Sequence, residues 1–159
     1  MTRERFIELA TAEQEPLRRF LLALCGGDRM EAEDIAQEAF VKAWLASERF
    51  DEQYKFRTWL FKIAYRTLLD HAKRPQLQRL SEVSELSEKS DYTADAAFRY
   101  EALYRAIDQL PERTRAATLL YHIEGYSIKD IATITHSNPV AVRQQLHRGL
   151  TRLREILKP

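Results

Sequence analysis

A turn signal and two short helical patterns crowd into residues 124–148, and together they leave little freedom in how this part of the chain folds. The stretch reads Glu124-Gly-Tyr-Ser-Ile-Lys-Asp-Ile-Ala-Thr-Ile-Thr-His-Ser-Asn-Pro-Val-Ala-Val-Arg-Gln-Gln-Leu-His-Arg148. Ser127 is placed to cap a first helix, with Asp130 three positions on in a near capping-box arrangement. Ile128, Ile131 and Ala132 then recur at helical spacing. Asn138 is a good N-cap for a second helix, and Pro139 suits its first position, where a missing N–H costs nothing. Beyond it Val142, Leu146, Leu150, Leu153 and Leu157 form an apolar stripe, while Arg143, His147, Arg148, Arg152 and Arg154 point largely elsewhere. A helix-turn-helix with a basic second helix is a device for the DNA major groove. An ordinary αα-hairpin with a solvated charged face fits this segment equally well.

The rest of the chain separates these readings. The formal net charge of +1 over 159 residues conceals a segregation. Between residues 28 and 38 the acids Asp28, Glu31, Glu33, Asp34 and Glu38 face only Arg29. Between residues 55 and 74 the cations Lys55, Arg57, Lys62, Arg66, Lys73 and Arg74 face only Asp70, and the tail from Arg143 is basic again. Local basic patches, not net charge, set attraction to nucleic acid. The acidic patch beside them implies a second, different partner.

An apolar fraction of 45% is that of a globular protein, with no apolar run near the length of a membrane span. The N-terminus lacks the pattern of a signal peptide. Cys25, the only cysteine, cannot form an internal disulfide and fits a reducing cytoplasm as a small buried residue. Four glycines, five prolines and scarce β-branched alternation predict an all-α chain. Helices are expected over residues 6–24, with an interruption near Pro16, then from 28 or 29 to 46, and over 55–73. The polar segment 47–54 reads as a loop, and 75–94 as a flexible linker. Helical periodicity resumes over 96–110 and again over 111–123. The economical organisation is two small helical domains, 1–74 and 96–159, joined by a linker at 75–95.

The third helix carries the second clue. Phe56, Leu60, Ile63 and Thr67 share one face and Phe61, Tyr65 and Leu68 another, both suited to a core. Lys62, Arg66 and Lys73 form a basic stripe with Trp59 at its edge. Cations beside an indole suit a nucleic-acid strand, since phosphates pair with the cations and an unstacked base lies on the ring. Trp59 as simple core is the competing reading.

At this point the residues resemble a family. Ala32-Glu-Asp-Ile-Ala-Gln-Glu-Ala-Phe-Val-Lys-Ala-Trp44 is similar to region 2.2 of the extracytoplasmic-function group of bacterial sigma factors. Phe56-Arg-Thr-Trp-Leu-Phe-Lys-Ile-Ala64 resembles that group's promoter-melting helix. Leu110-Pro-Glu-Arg-Thr-Arg115, Gly125-Tyr-Ser-Ile-Lys-Asp-Ile-Ala132 and Val142-Arg-Gln-Gln-Leu-His-Arg148 are similar to its region 4. The motifs stand in the family's order and span nearly the whole chain.

The resemblance implies a dissociable, cytoplasmic subunit of bacterial RNA polymerase with no cofactor, no metal and no chemistry of its own. Asp34, Gln37 and Glu38 would dock on the clamp coiled coil of core RNA polymerase. Arg49, Asp51, Gln53, Arg57, Trp59, Lys62 and Arg66 would read and melt the promoter's −10 element, catching a flipped base at a cost of a few kcal/mol. Arg143, Gln144, Gln145, His147 and Arg148 would contact the −35 duplex, with Arg152 nearer phosphate. An anti-sigma factor is the expected inhibitory partner.

The chain also departs from the family pattern. Val140-Ala141 stands where Gly-Thr is common, Arg143-Gln144-Gln145 where Lys/Arg-Ser-Arg is frequent, and Arg66 where Asn is frequent. These changes bear on the promoter sequences read and leave the fold intact. A repressor or activator of the helix-turn-helix type is the alternative function, although no heptad seam for dimerisation is evident. A helical enzyme finds no phosphate loop, His-x-x-x-His pair or nucleophile motif.

Overall fold

The structure, a computed structural model, describes residues 1–73 and 94–159, with side chains of the second part from residue 100 onward. The expected linker at 75–95 therefore lies outside the described residues, apart from its last two positions. Among the described residues every regular element is helical, in the order α1 (Arg3–Leu24), α2 (Arg29–Ala46), α3 (Phe56–Ala72), α4 (Ala94–Asp108), α5 (Glu112–Thr118), α6 (Ile128–Ile134) and α7 (Pro139–Ile156).

Local chemistry sets most of the boundaries. Thr2, Asp28, Ser127 and Asn138 each accept a hydrogen bond from the backbone N–H three residues on, and so start α1, α2, α6 and α7. Gly26 and Gly27, at φ 62° and 88°, reverse the chain between α1 and α2 in a conformation that suits glycine. Two expectations need correction. Pro16 sits inside an unbroken α1 instead of interrupting it. Its missing N–H is tolerated because neighbouring Leu17, Phe20 and Leu21, all buried, hold the helix by packing. The expected helix over 111–123 also changes form, since α5 ends at Thr118 and continues as a π turn over Leu119–Ile123.

The first three helices pack around Leu17, Phe20, Leu21, Ile35, Leu60 and Phe61, each essentially inaccessible to water. The face of α2 turned inward is small (Ala32, Ala36, Ala39 and Ala43), which lets α1 and α3 approach closely. A second core forms from Ile107, Leu110, Leu119, Leu120, Ile131, Ile134 and Val142. There α7 crosses α5 at Gly149, where an added Cβ would stand 2.5 Å from Thr118 Oγ1 and 3.1 Å from Thr114 Cγ2. The apolar stripe read from α7 is divided in the structure. Val142 and Leu153 are buried, whereas Leu150 and Leu157 remain about two-fifths exposed, at 39% and 43%.

The two halves are packed together. Tyr126, 4% exposed, inserts between them with its ring 5.1 Å from that of Phe61. The Arg57 guanidinium lies 4.3 Å from the centroid of the Tyr126 ring. The π turn makes this possible. Glu124 N donates to Leu119 O at 3.0 Å, and Tyr126 N donates to Leu120 O at 2.9 Å, so the turn is widened and underwound and delivers both side chains to the first half. Gly125, at φ 77°, completes the bend.

Candidate nucleic-acid interface

The helix-turn-helix is built as its residues suggest. Ser127 Oγ accepts from Asp130 N at 3.1 Å, and Asn138 Oδ1 accepts from Ala141 N at 2.9 Å. The capping box is not reciprocal, because the Asp130 carboxylate turns instead to Lys55 Nζ at 2.9 Å, in the other half of the molecule. In the turn, His136 adopts a left-handed φ of 53°, which His tolerates better than most residues. Thr135 is buried there and its hydroxyl donates to Ile131 O at 2.8 Å. With the turn fixed, α7 presents Arg143, Gln144, His147 and Arg148 to solvent, with Gln145 half-buried beside them. Arg152 is exposed and pairs with Glu155 at 3.3 Å. Donors and amides on one accessible helix face are the geometry that direct base readout requires.

Residues expected at a melted strand are arranged around the start of α3. Arg49 ends a short 3-10 turn (Ser47–Arg49), and Asp51 and Gln53 follow in an exposed loop where Asp51 Oδ1 accepts from Gln53 N at 3.0 Å. Trp59 is half-buried, part of its ring packed and part accessible. One side packs on Phe50 and Phe56, with centroids 4.8 and 5.6 Å away, and the other lines an open cleft shared with Lys62 and Arg66. Arg57 is engaged elsewhere in this arrangement. Its Nε donates to Tyr126 Oη at 3.2 Å and its Nη2 donates to Glu124 O at 3.3 Å.

The acidic helix α2 divides its candidates. Asp34 and Gln37 are exposed, whereas the Glu38 carboxylate is occupied by His71 of α3 and by Lys42, 3.6 Å away. The His71 hydrogen bond, with help from Lys42, lowers the Glu38 pKa below its ordinary value. Sequence reasoning missed the apolar part of this surface. Met30, Val41 and Leu45 are 64%, 57% and 75% exposed and continue the Asp34–Gln37 stripe at helical spacing. Apolar residues on an amphipathic helix default to core in a sequence reading, so only the solved packing of α2 reveals them.

Sequence reasoning also missed the contacts between the halves. Arg19 holds Glu124 through two hydrogen bonds, Tyr65 Oη donates to Glu112 Oε1 at 2.9 Å, and Arg115 Nη1 donates to Leu24 O at 3.1 Å. Burial pushes the Tyr126 and Tyr65 phenols up, so both stay protonated near neutral pH. Cys25 is half-buried, and burial pushes its thiol up as well. Among the described residues no helix is long and apolar enough to cross a membrane.

Two family models match the chain, Sigma-70 region 2 over residues 9–77 and Sigma-70, region 4 over residues 100–153. The RNA polymerase sigma-H factor of Pseudomonas aeruginosa is 34% identical over 146 residues, covering 83% of this chain and 76% of the relative. The ECF RNA polymerase sigma factor SigW of Bacillus subtilis is 32% identical over 83% of this chain and 78% of its own length. Among solved structures, the fold resembles the sigma factor RpoE in complex with the anti-sigma factor NepR from Bartonella quintana. That match has a TM-score of 0.72 at 22% identity, over 98% of this chain and 95% of the other. CnrH in complex with the cytosolic domain of CnrY matches with a TM-score of 0.75 at 22% identity, over 98% and 89%.

Proposed function

The chain belongs to the extracytoplasmic-function group of sigma-70 factors and directs promoter-specific transcription initiation, and from that premise we propose how its surfaces divide the work. Residues 1–74 form the domain that binds core polymerase and handles the −10 element, and 96–159 the domain that reads the −35 element. The exposed stripe of Asp34, Gln37, Val41 and Leu45 docks on core RNA polymerase, a mixed acidic and apolar patch suited to a basic helical partner. Glu38 acts within this surface as a residue held by His71.

Arg49, Asp51, Gln53, Arg57, Trp59, Lys62 and Arg66 take the melted −10 strand, cations meeting phosphates and the free edge of Trp59 meeting a base. Arg143, Gln144, Gln145, His147 and Arg148 read the −35 duplex, with Arg152 on phosphate. The protein carries no chemistry of its own and acts in the cytoplasm, where promoter and polymerase are. An anti-sigma factor is its inhibitory partner, a reading supported by the two complexes that share its fold.

The observation that carries this reading is the exposed basic helix α7 set on a packed helix-turn-helix, in one chain with the Trp59–Lys62–Arg66 stripe. It also requires the two halves to part. A folded chain of 159 residues has a radius of gyration of about 15 Å. The −35 and −10 elements lie about 25 base pairs apart, roughly 85 Å of duplex at ~3.4 Å per pair. The packed arrangement cannot contact both, and it also occupies Arg57. It is therefore the free or inhibited form, and the promoter-bound form is open.

Run-off transcription with purified bacterial core polymerase over a library of promoter fragments tests the proposal. Promoter-specific transcripts that need this protein, and that fall when Asp34 and Leu45 are replaced by alanine, support it. Transcripts indifferent to Asp34, Gln37, Val41 and Leu45 would reject the docking surface. Specific duplex binding by the protein alone without any stimulation of polymerase would favour a repressor or activator.

A further inference from the structure

Where the two halves meet, residues of both line a cleft of about 560 Å³, within the size range of small-ligand sites. Lys62, Arg66 and Lys73 reach it from α3, Arg113 from α5, and His136 from the turn of the helix-turn-helix. Trp59 forms one wall. Lys62, Arg66, Lys73 and Arg113 have no ion-pair or hydrogen-bond partner among the described residues. Among the described residues, the one carboxylate lining the cleft is Asp70, which stands 4.0 Å from Lys42 Nζ. Among the described residues, closure thus brings Arg113 to Lys62, Arg66 and Lys73 with Asp70 the one acid in the lining, an excess of positive charge that an anion entering the cleft would offset.

We propose that this cleft binds a phosphate-chain anion, the chemistry shared by nucleoside polyphosphates and inorganic polyphosphate. Lys62, Arg66 and Lys73 hold one side of the chain and Arg113 and His136 the other, so the ligand bridges the two halves. A compact ligand is favoured over a nucleic-acid strand because the site is complete only in the closed form, which cannot span a promoter. Bound there, it holds the molecule closed and occupies Lys62 and Arg66. That consequence for transcription rests on the function proposed above, whereas the site itself rests on the cleft.

Isothermal titration of the full chain, without polymerase, DNA or divalent cations and at low ionic strength, provides the test. Sodium tripolyphosphate, ATP and adenosine are the probes. The expected result is one site per chain for tripolyphosphate and ATP, and none for adenosine. Arg113→Ala and Lys73→Ala should each weaken binding about tenfold, as the loss of a charge-assisted bond does. Arg19→Ala, which touches no ligand, should weaken it too by loosening closure. ATP binding tighter than tripolyphosphate, with quenching of Trp59 emission in a Trp44→Phe background, would identify a nucleotide with its base on the indole. Equal affinity would identify the phosphate chain alone as the ligand.

Absence of binding by both phosphate chains, several weak sites per chain, or unchanged affinity in Arg113→Ala and Lys73→Ala would overturn the proposal. Lys73, at the exposed C-terminal end of α3, keeps the test decisive if Arg113→Ala disturbs folding. Because no transcription is measured and neither residue is assigned to promoter contact, failure here leaves the sigma-factor reading intact.

Discussion

Arg19 donates from Nε and Nη2 to the two carboxylate oxygens of Glu124, at 2.9 and 2.7 Å, joining positions 105 residues apart. The Glu124 side chain is 1% exposed, while that of Arg19 is 49% exposed. The bidentate pair offsets the desolvation of a carboxylate that would otherwise be buried without a cation. Its hydrogen bond also raises the Arg19 pKa above the ordinary arginine value. Arg19→Ala leaves two outcomes, an unpaired buried charge at a cost of about 3–5 kcal/mol or separation of the halves so that water reaches Glu124. Separation is the cheaper, because it breaks a contact between folded halves without unfolding either. Small-angle scattering should give a larger radius of gyration for Arg19→Ala than for the parent chain, with helix content unchanged by circular dichroism. An unchanged profile would mean that Tyr126 and the remaining contacts hold the halves without this pair.

That pair marks where sequence reading stops. Ser127 and Asn138 were legible as caps because a cap depends on the next three residues and nothing farther away. The acidic α2, the basic stripe of α3 and the basic face of α7 were legible because helical spacing fixes which side chains share a face. Glu124 was not, since its burial depends on Arg19 in a helix 105 positions earlier and on a π turn with no strong local signature. Glu38 was read as an outward acid, and its commitment to His71 lies across 33 residues of chain. Val41 and Leu45 were hidden for the opposite reason, since apolar residues are assigned to a core until packing shows otherwise. The position of the two halves relative to each other had no readable signal at all.

Gly149 permits the close crossing of α7 over α5, so the size of its side chain controls the helix-turn-helix scaffold. In Gly149→Ala the new methyl would stand 2.5 Å from Thr118 Oγ1, a buried β-branched neighbour with little room to turn. Overpacking costs about 1–3 kcal/mol, partly offset by alanine's helix propensity of up to ~1 kcal/mol. A net loss of about 1–2 kcal/mol is expected in urea unfolding. Thr118 Oγ1 has no hydrogen-bond partner, so Thr118→Ala removes the clash without stranding a polar group. The double variant Gly149→Ala, Thr118→Ala should recover most of the loss, and failure to do so would place the strain at Thr114 instead.

Glu38 gives the fold a pH dependence whose sign is fixed by His71. Its pKa is lowered first by the His71 hydrogen bond and then by Lys42, so the folded state binds that proton less readily than the unfolded chain. A depressed carboxylate contributes stability that is present above its unfolded pKa, ~4.3, and is lost as pH falls through the folded value. His71→Gln should therefore lower the thermal midpoint above about pH 5, and the gap from the parent chain should close on further acidification. Unfolding curves from pH 3 to 6 check it. A gap that stays constant across that range would assign the effect of His71 to packing alone.

Along α7, Arg143 and Arg148 are exposed cations and Gln144 is an exposed amide, and they differ in what each can discriminate. An arginine contacts guanine or phosphate, whereas a glutamine bonded to one adenine reads that base and nothing else. Replacing a base-reading side chain by alanine costs about 1–3 kcal/mol and relaxes preference at one base pair. Replacing a phosphate contact weakens all promoters alike and flattens the salt dependence of binding by about one counterion. Gln144→Ala should thus change which −35 sequences support run-off transcription, by roughly fivefold to 150-fold at a single position. Arg152, already paired with Glu155, should show the uniform, salt-sensitive loss instead. If Gln144→Ala lowers every promoter equally, the recognition face of α7 is rotated from the one assigned here, and Gln145, half-buried in the free protein, is the next side chain in line.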